Sequence, residues 1–260
     1  MTKPTETFSF ASFDGTQIVV DRFGPAVSRP VVLQHGFAAT GYSNWVAPGI
    51  VRALTNAGRT VLVPDARGHG RSEKPLDPAR YGHDLMARDL SALFDDLGVD
   101  EVDLGGYSMG GHIALHVLRD DPRIRSAMIA GIGASGIGGR QPRGFDRTVI
   151  ADALVAYADD PSIRVVDPAA WGFVSFARST GADVRALAAQ MRSANLPVTD
   201  LGRVSVPVLV IAGVDDDLAR TAEELAAAIA GSTLVRTPGD HLGAVGEPAF
   251  IAAATNFFRR

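Results

Sequence analysis

The chain has 260 residues, with 25 Lys and Arg against 29 Asp and Glu, a formal net charge of −4, and no cysteine. The lack of cysteine excludes a disulfide-stapled scaffold, a thiolate metal site and a cysteine nucleophile. The weak acidity gives no electrostatic footprint for nucleic acid or for an anionic membrane. The first ten residues lack the basic start and apolar core of a signal peptide, so a cytoplasmic protein is expected.

Short apolar runs alternate with helical patterns along the chain. An alternating pattern on both sides of Asp14-Gly15 predicts a β-hairpin. The later runs are almost continuously apolar, as is typical of parallel strands that are buried on both faces. The predicted strands are residues 7–13, 17–23, 30–35, 60–65, 101–107, 126–132, 206–212 and 233–237, and the predicted helices are 84–97, 109–118, 219–230 and 248–258. This alternation predicts an α/β fold, with helices on both faces of a parallel sheet and the hairpin at one edge.

The segment 134–205 interrupts this alternation. It has no evident buried strand, and several aromatic residues lie there among weak helical patterns. We interpret it as an insertion that packs over one end of the sheet. Residues 1–133 and 206–260 then form the core of a single compact domain. A set of ordinary crossover helices is the alternative interpretation.

The sequence Gly106-Tyr107-Ser108-Met109-Gly110 has the spacing of a nucleophile elbow. A predicted strand precedes it and a predicted helix follows it, so Ser108 is expected on a sharp turn at the carboxyl end of the sheet. The backbone N–H of Met109, at the start of the helix, can then donate to a developing oxyanion. A glycine-rich turn in which Ser108 only caps the helix is the alternative.

A serine hydroxyl needs a neighbouring base, and the chain has six histidines. His241 follows the last predicted strand, so it is expected at the same end of the sheet as Ser108. His69 also follows a predicted strand and is a competitor for this role. The carboxylate that orients a catalytic imidazole is expected from the run Asp215-Asp216-Asp217, which follows the strand 206–212. Within that run, Asp217 is expected to cap the helix that comes next.

A second oxyanion donor is expected from His35-Gly36-Phe37, which follows the strand 30–35. The donor is the backbone N–H of Phe37. His35 is expected to hold this loop in place.

Two further patterns are typical of ligand sites. His112 and His116 are four residues apart on a helix, as in zinc helices, but Ile113 stands where that motif needs its glutamate. These two histidines are expected to point away from Ser108 along the helix, and His83 to belong to the start of another helix. The run Gly131 to Gly136 fits the dinucleotide pattern, but residues that cannot start a regular helix follow it. We therefore predict no metal and no cofactor, with a nucleotide-binding oxidoreductase as the alternative.

Taken in chain order, these pieces resemble the α/β-hydrolase superfamily. The resemblance rests on His35-Gly36-Phe37, the segment 65–72, the elbow at Ser108, the acids after Gly213, and Asp240-His241. It implies an eight-stranded, mostly parallel sheet with an antiparallel second strand and a small helical cap between strands six and seven. It also implies that Asp216, three residues after Gly213, is the acid of a Ser-Asp-His chain order.

Within the superfamily, the chain is similar to small bacterial esterases, lactonases and cofactor-free haloperoxidases. It also resembles the meta-cleavage-product hydrolases, which cleave carbon–carbon bonds with the same triad. The resemblance implies a serine hydrolase that cleaves a carboxylic ester or a lactone through an acyl-enzyme. A carbon–carbon bond hydrolase is one alternative, and a non-catalytic ligand-binding protein of the same fold is another.

The candidate substrate pocket is formed by Tyr107, Trp171, Phe173 and Phe176. With Met109 beside the serine, these residues predict a mainly apolar pocket and a small, mostly apolar ester as substrate. The alternative is that Trp171 and Phe176 only anchor the insertion to the core. No nucleic-acid or membrane partner is predicted, and no oligomeric state.

Overall fold

The computed structural model describes residues 2–26 and 29–259. The strands are β1 Glu6–Ala11, β2 Gln17–Phe23, β3 Val31–Gln34, β4 Val61–Pro64, β5 Val102–Tyr107, β6 Ile124–Ala130, β7 Val208–Gly213 and β8 Thr233–Thr237. The helices are α1 Ile50–Asn56, α2 His83–Leu97, α3 Met109–Asp120, α4 Arg147–Asp159, α5 Pro168–Thr180, α6 Val184–Met191, α7 Ala222–Ala227 and α8 Pro248–Phe258. Over these two ranges, no helix has both the length and the apolar character needed to cross a lipid bilayer.

All eight strands form one sheet, in the order β1-β2-β4-β3-β5-β6-β7-β8. Strand β2 is antiparallel to β1 and to β4, and the hairpin turn uses Gly15 at a φ of 84°. All the other pairs are parallel. The predicted eight-stranded, mostly parallel sheet is therefore confirmed. Because the carboxyl ends of parallel strands meet at one edge, the loops after β3, β5, β7 and β8 converge there.

The sheet is covered on both faces, which explains why its central strands are apolar on both sides. One layer packs α2, α3 and α7 on the sheet, with Leu90, Ile113 and Leu225 among its buried residues. The other layer packs α1 and α8, with Leu54 and Phe250 among its buried residues. Helix α1 was not predicted, because its seven residues are too short for the periodic pattern to stand out.

The chain between β6 and β7 contains α4, α5 and α6. Each of these helices begins after an aspartate whose side chain accepts backbone N–H groups of the first turn. They share a separate cluster of buried residues that includes Ile150, Leu154, Val174 and Leu187. Ala38, in the loop after β3, belongs to the same cluster, so these helices pack against the carboxyl edge of the sheet. The boundaries of this segment as a cap, 134–205, stay a prediction.

Candidate active site

Ser108 stands on a strained turn between β5 and α3. Its φ of 53° and ψ of −116° are unusual for a residue with a side chain. Two glycines make the turn possible, because a Cβ at Gly106 would overlap the carbonyl oxygen of Gly110, and a Cβ at Gly110 would overlap that of Gln34. The Ser108 N–H donates to the Ala130 carbonyl at 2.8 Å, which ties the turn to β6. The turn holds the Ser108 side chain at the carboxyl edge of the sheet.

His241 lies between Ser108 and Asp216 and is within hydrogen-bond distance of both. His241 Nε2 is 2.9 Å from Ser108 Oγ. On the other side of the ring, His241 Nδ1 is 2.9 Å from each carboxylate oxygen of Asp216. With its proton on Nδ1, the imidazole donates to the carboxylate and accepts from the serine hydroxyl. The structure thus brings together the three side chains that the sequence motifs and the family resemblance indicate.

The loop after β7 distinguishes the three consecutive acids. Asp216 is 3% exposed, and its Oδ1 accepts the N–H groups of Leu218 and Ala219. The prediction that Asp217 is the helix cap is therefore wrong. Asp216 caps the short 3₁₀ turn Asp217–Ala219, whereas Asp217 is exposed and pairs with Arg220. Helix α7 begins only after this turn, at Ala222. Asp215 is also exposed. The backbone N–H groups hold the Asp216 carboxylate in place, facing His241.

Tyr107, the residue before the serine, supports the histidine loop. Its hydroxyl donates to the His241 carbonyl at 2.7 Å, and the two rings lie 5.4 Å apart between centroids. Burial raises the pKa of Tyr107, so the hydroxyl stays protonated and remains a donor. The ring also packs against Trp45 and Phe250. Tyr107 therefore positions His241 as well as lining a cavity.

The loop after β3 lies directly beside the serine. A Cβ at Gly36 would be 3.4 Å from Ser108 Cβ, which shows how closely the two turns approach. The Gly36 N–H donates to Asn44 Oδ1 at 2.8 Å. The next N–H along the loop is that of Phe37, and the first N–H of α3 is that of Met109, which has no acceptor within its own helix. These two groups are the predicted oxyanion donors, and that role stays a prediction.

Two buried histidines hold this loop. His35 Nε2 accepts the Ala66 N–H at 2.9 Å, and His69 Nε2 accepts the Ala38 N–H at 3.1 Å. Both rings are almost completely buried and contact each other edge to face. His69 is thus engaged by the loop backbone, and the imidazole within hydrogen-bond distance of Ser108 is that of His241.

We expect the buried His69 to make the protein sensitive to acid. Burial, with a smaller contribution from His35, lowers the pKa of His69 from 6.5 to about 3. Below about pH 6.5, His69 therefore binds a proton in the unfolded chain but stays neutral in the folded one. The free energy of unfolding consequently falls as the pH decreases. At pH 5 this one group costs about 2 kcal/mol. Urea unfolding of wild type and His69→Gln at pH 7 and pH 5 measures this contribution of His69 to the loss of stability.

The glutamine oxygen can accept the Ala38 N–H but does not titrate, so the loss between pH 7 and pH 5 should shrink by about 2 kcal/mol in His69→Gln. Between pH 7 and pH 9 the two proteins should show the same dependence, since His69 is neutral there. If the free energy of unfolding fell equally in both proteins between pH 7 and pH 5, His69 would not be the source of the acid sensitivity.

A cavity of about 320 Å³, which we call the apolar chamber, opens beside Ser108 and His241. It lies between the loop after β3, the loop after β8 and one face of α5. Its lining residues are Gly36, Phe37, Ala39, Ser43, Asn44, Tyr107, Ser108, Pro168, Ala169, Gly172, Phe173, Phe176, Leu218, His241, Leu242 and Val245. Its walls are mostly aliphatic and aromatic, which suits an apolar group.

A second cavity of about 380 Å³, which we call the polar chamber, also reaches Ser108. Its polar side chains come from α2, α3, α4, α6 and the segments beside them. They are His83, Ser108, His112, His116, Ser135, Gln141, Arg147, Gln190, Ser193 and Asn195. The rest of its wall is apolar and includes Phe37, Met109, Ile132, Pro142, Phe145, Phe173, Met191, Leu196, Pro197 and Leu218. Ser108, Phe37, Phe173 and Leu218 are common to both chambers.

The predicted pocket is partly wrong. Tyr107, Phe173 and Phe176 line the apolar chamber as predicted, but Trp171 lines neither cavity. It is 45% exposed, because it points away from the face of α5 that carries Phe173 and Phe176. The expectation of a mainly apolar pocket holds for the walls of the apolar chamber, and the polar chamber adds polar side chains that were not predicted to lie near Ser108.

The expectation that His112 and His116 point away from Ser108 is wrong as well. Both line the polar chamber, because residues 108, 112 and 116 follow one another at four-residue spacing on one face of α3. The His112 ring stacks on that of His83 at 4.9 Å. Among the described residues, His, Asp and Glu side chains form no group of three or more suited to a metal ion.

The glycine-rich run after β6 does not form an open phosphate loop. A Cβ at Gly131 would be 2.9 Å from the Tyr107 ring, and the Ala134 N–H donates to Thr221 Oγ1 at 2.9 Å. A short 3₁₀ turn, Ala134–Ile137, follows. The glycines allow close packing against neighbouring side chains, and no regular helix begins where a pyrophosphate would bind.

The sheet and the elbow at its carboxyl edge define the class of the protein, an α/β hydrolase. A model of the alpha/beta hydrolase fold matches residues 29–245, and the chain belongs to this family. It is 29% identical over 249 residues to a non-heme chloroperoxidase of Streptomyces lividans, which covers 85% of this chain and 87% of that protein.

Two further relatives have other activities in their names. A 2-hydroxy-6-oxononadienedioate/2-hydroxy-6-oxononatrienedioate hydrolase of Cupriavidus pinatubonensis is 29% identical over 213 residues, 74% of this chain and 72% of that protein. The crystal structure of the enol-lactonase from Burkholderia xenovorans is 25% identical, with a TM-score of 0.75 over 97% of this chain and 100% of that one. Membership of the family supports hydrolase activity, while the names of these relatives give different activities.

Proposed function

We propose that the protein is a serine hydrolase that cleaves carboxylic esters or lactones through an acyl-enzyme. The observation that carries the proposal is the hydrogen-bonded series from Ser108 through His241 to Asp216, with each contact at 2.9 Å. A base within this distance of a hydroxyl, itself oriented by a buried carboxylate, is the arrangement that makes serine nucleophilic.

The proposed reaction begins when His241 Nε2 takes the Ser108 proton and Ser108 Oγ attacks the ester carbonyl. The negative charge on the carbonyl oxygen is then stabilised by the N–H groups of Phe37 and Met109. His241 gives its proton to the leaving alcohol as the carbon–oxygen bond breaks, and the acyl group stays on Ser108. A water molecule then loses a proton to His241, attacks the acyl-enzyme and releases the acid.

Asp216 has two tasks in this scheme. It fixes the imidazole with Nδ1 protonated, and it stabilises the imidazolium that forms in each half-reaction. The backbone N–H groups of Leu218 and Ala219 donate to Asp216 and hold its carboxylate in the orientation that both tasks need. The strained turn at Ser108 holds the hydroxyl towards the imidazole in the resting protein, so little reorganisation is needed.

The similarity to an enol-lactonase supports ester and lactone cleavage as the first candidate. The Cupriavidus relative favours cleavage of a carbon–carbon bond as the second candidate. The two differ in substrate, so a panel of nitrophenyl esters of graded length, lactones and dienone acids separates them. If only the dienone acids were turned over, carbon–carbon bond hydrolysis would be the function, and ester cleavage would be rejected.

A fluorophosphonate probe tests the nucleophile directly. We expect the wild-type protein to gain the mass of one phosphonyl group on Ser108 and to lose esterase activity in proportion. Ser108→Ala should stay unlabelled, whereas Ser179→Ala, which removes an exposed serine of α5, should be labelled like wild type. A folded wild-type protein that neither reacts with the probe nor cleaves any of the panel would favour the non-catalytic ligand-binding alternative.

A further inference from the structure

The two chambers that meet at Ser108 differ in the polar side chains that they carry. This difference orients the substrate if the protein is the proposed serine hydrolase, on which the inference rests. The apolar chamber has mostly aliphatic and aromatic walls. The polar chamber has a guanidinium, three imidazoles and several amides and hydroxyls on its walls, and none of the described residues that line it is Asp or Glu.

Arg147 is the cation of the polar chamber. Its Nε donates to the Met191 carbonyl at 3.1 Å, and its Nη2 donates to the Gln190 and Ser193 carbonyls at 2.7 and 3.1 Å. These acceptors are neutral, and within the described part of the chain no carboxylate forms an ion pair with Arg147. Burial alone lowers its pKa, with no carboxylate acting against it. A half-buried arginine without an anion is costly, and a ligand carboxylate would offset that cost.

The other polar groups of the chamber carry no negative charge that would oppose an anion. Burial lowers the pKa of both His83 and His112, that of His112 to about 4, so these rings are uncharged near pH 7. Arg147 lines the same chamber as both rings, and its positive charge also lowers their pKa. Asn195 Oδ1 accepts the backbone N–H of His83 at 3.1 Å, which leaves the amide NH₂ of Asn195 as a donor.

The position of His241 decides which part of an ester enters which chamber. His241 must protonate the leaving oxygen, so the alcohol part of the substrate has to lie on its side. His241 lines the apolar chamber and is absent from the lining of the polar one. The alcohol part therefore occupies the apolar chamber, and the acyl part extends from Ser108 into the polar chamber.

We infer that the preferred substrate is a half-ester of a dicarboxylic acid, or a lactone with a carboxylate on its acyl chain. The ester carbonyl lies at Ser108, the free carboxylate binds Arg147 in the polar chamber, and the alcohol carbons fill the apolar chamber. Arg147 is then a specificity-determining residue, and hydrolysis releases an apolar alcohol and a dicarboxylate.

Matched esters test this directly. Monobenzyl esters of dicarboxylic acids from succinic to suberic are compared with the benzyl esters of monocarboxylic acids of equal carbon number. We expect at least one dicarboxylic half-ester to exceed its neutral partner in kcat/KM by about ten- to hundredfold, as a charged hydrogen bond in a protected site allows. Moving the carboxylate to the alcohol side, in a 4-carboxybenzyl ester, should lower kcat/KM below that of the benzyl ester.

Variants assign the preference to Arg147. In Arg147→Met the ratio of half-ester to neutral ester should fall to near one, mainly through KM. Arg147→Lys keeps the charge and should keep part of the ratio, although it disturbs the same carbonyl contacts. Arg143→Met, which removes an exposed cation four residues earlier, should leave the ratio as in wild type. A general structural role of Arg147 would affect both esters equally and leave the ratio unchanged.

Binding without turnover separates this inference from the proposed function. Calorimetry of Ser108→Ala with the best half-ester should show binding that weakens by a similar factor in Ser108→Ala/Arg147→Met. If esters bind in this way but wild type cleaves none, the proposed function fails and the carboxylate site stands. If wild type cleaves neutral esters as well as or better than every half-ester, or prefers the carboxylate on the alcohol side, the inference is overturned and the hydrolase stands.

Discussion

Replacing Ser108 by alanine should reduce kcat for ester hydrolysis by about 10⁴- to 10⁶-fold, the loss expected when the nucleophile of an interdependent catalytic group is removed. His241 then has no hydroxyl to deprotonate, and only substrate binding and the oxyanion donors remain to accelerate attack by water. Initial rates with a nitrophenyl ester, corrected for spontaneous hydrolysis, measure the effect. The free energy of unfolding of Ser108→Ala should stay close to that of wild type, because alanine adopts the same strained turn.

Ser108→Gly is the matched control for this strain. Its kcat should fall as far as that of Ser108→Ala, since both lack the hydroxyl. Its free energy of unfolding should instead exceed that of Ser108→Ala by about 1 kcal/mol or more, because glycine tolerates a φ of 53° without steric cost. Activity above one hundredth of wild type in either variant would show that Ser108 is not the nucleophile.

Much of the fold could be predicted because its signals are local. The apolar runs of β5, β6 and β7 and the periodic pattern of α2 stand out in a single sequence. Positions relative to strand ends were informative for the same reason, because carboxyl ends of parallel strands must share an edge. Ser108 and His241 are 133 residues apart in sequence, yet both follow such ends and lie in hydrogen-bond contact.

The assignment of the acid needed the resemblance to a known family. The run Asp215-Asp216-Asp217 offers three similar side chains, and no periodic pattern indicates which of them faces inward. The structure distinguishes them by burial and by two backbone N–H donors at Asp216. That geometry depends on how the chain leaves β7, which composition and spacing do not determine.

The polar chamber could not be predicted in the same way. Its walls come from helices far apart in the chain, so no local motif joins His83, His112 and Arg147. One signal was present, because a polar residue one turn after Ser108 must share its face of α3. For Arg147 the sequence holds no such signal, since its environment arises only when α4 packs against α6.

Trp171 was predicted to line the pocket, but it lines neither chamber. The chemistry of an aromatic residue in a segment near the site predicts a place in the pocket, although α5 turns that side chain towards solvent. Helical phase decides the matter here, because the other members of the face that lines the apolar chamber, including Gly172 and Phe173, fix the orientation of the helix. Weak amphipathicity in this segment left that phase undetermined from the sequence.

Asp216→Asn should lower kcat by about 10⁴-fold, while the neighbouring Asp215→Asn should change it by less than about threefold. The amide introduced at position 216 would present its NH₂ to His241 Nδ1, which favours the tautomer protonated on Nε2, and that tautomer cannot accept the serine proton. The structure makes the two positions a matched pair, since Asp216 is buried against the imidazole and Asp215 is exposed.

The stability of these variants separates orientation of His241 from folding. Asparagine caps helices about as well as aspartate, so Asp216→Asn should keep its bonds from Leu218 and Ala219 and unfold close to wild type. Asp216→Ala loses the cap as well and should be less stable by about 1 kcal/mol. Thermal unfolding and kcat of all three variants are measured together. A large loss in Asp215→Asn with little change in Asp216→Asn would transfer the role of the acid to Asp215, because only the carboxylate that contacts the imidazole can fix its tautomer.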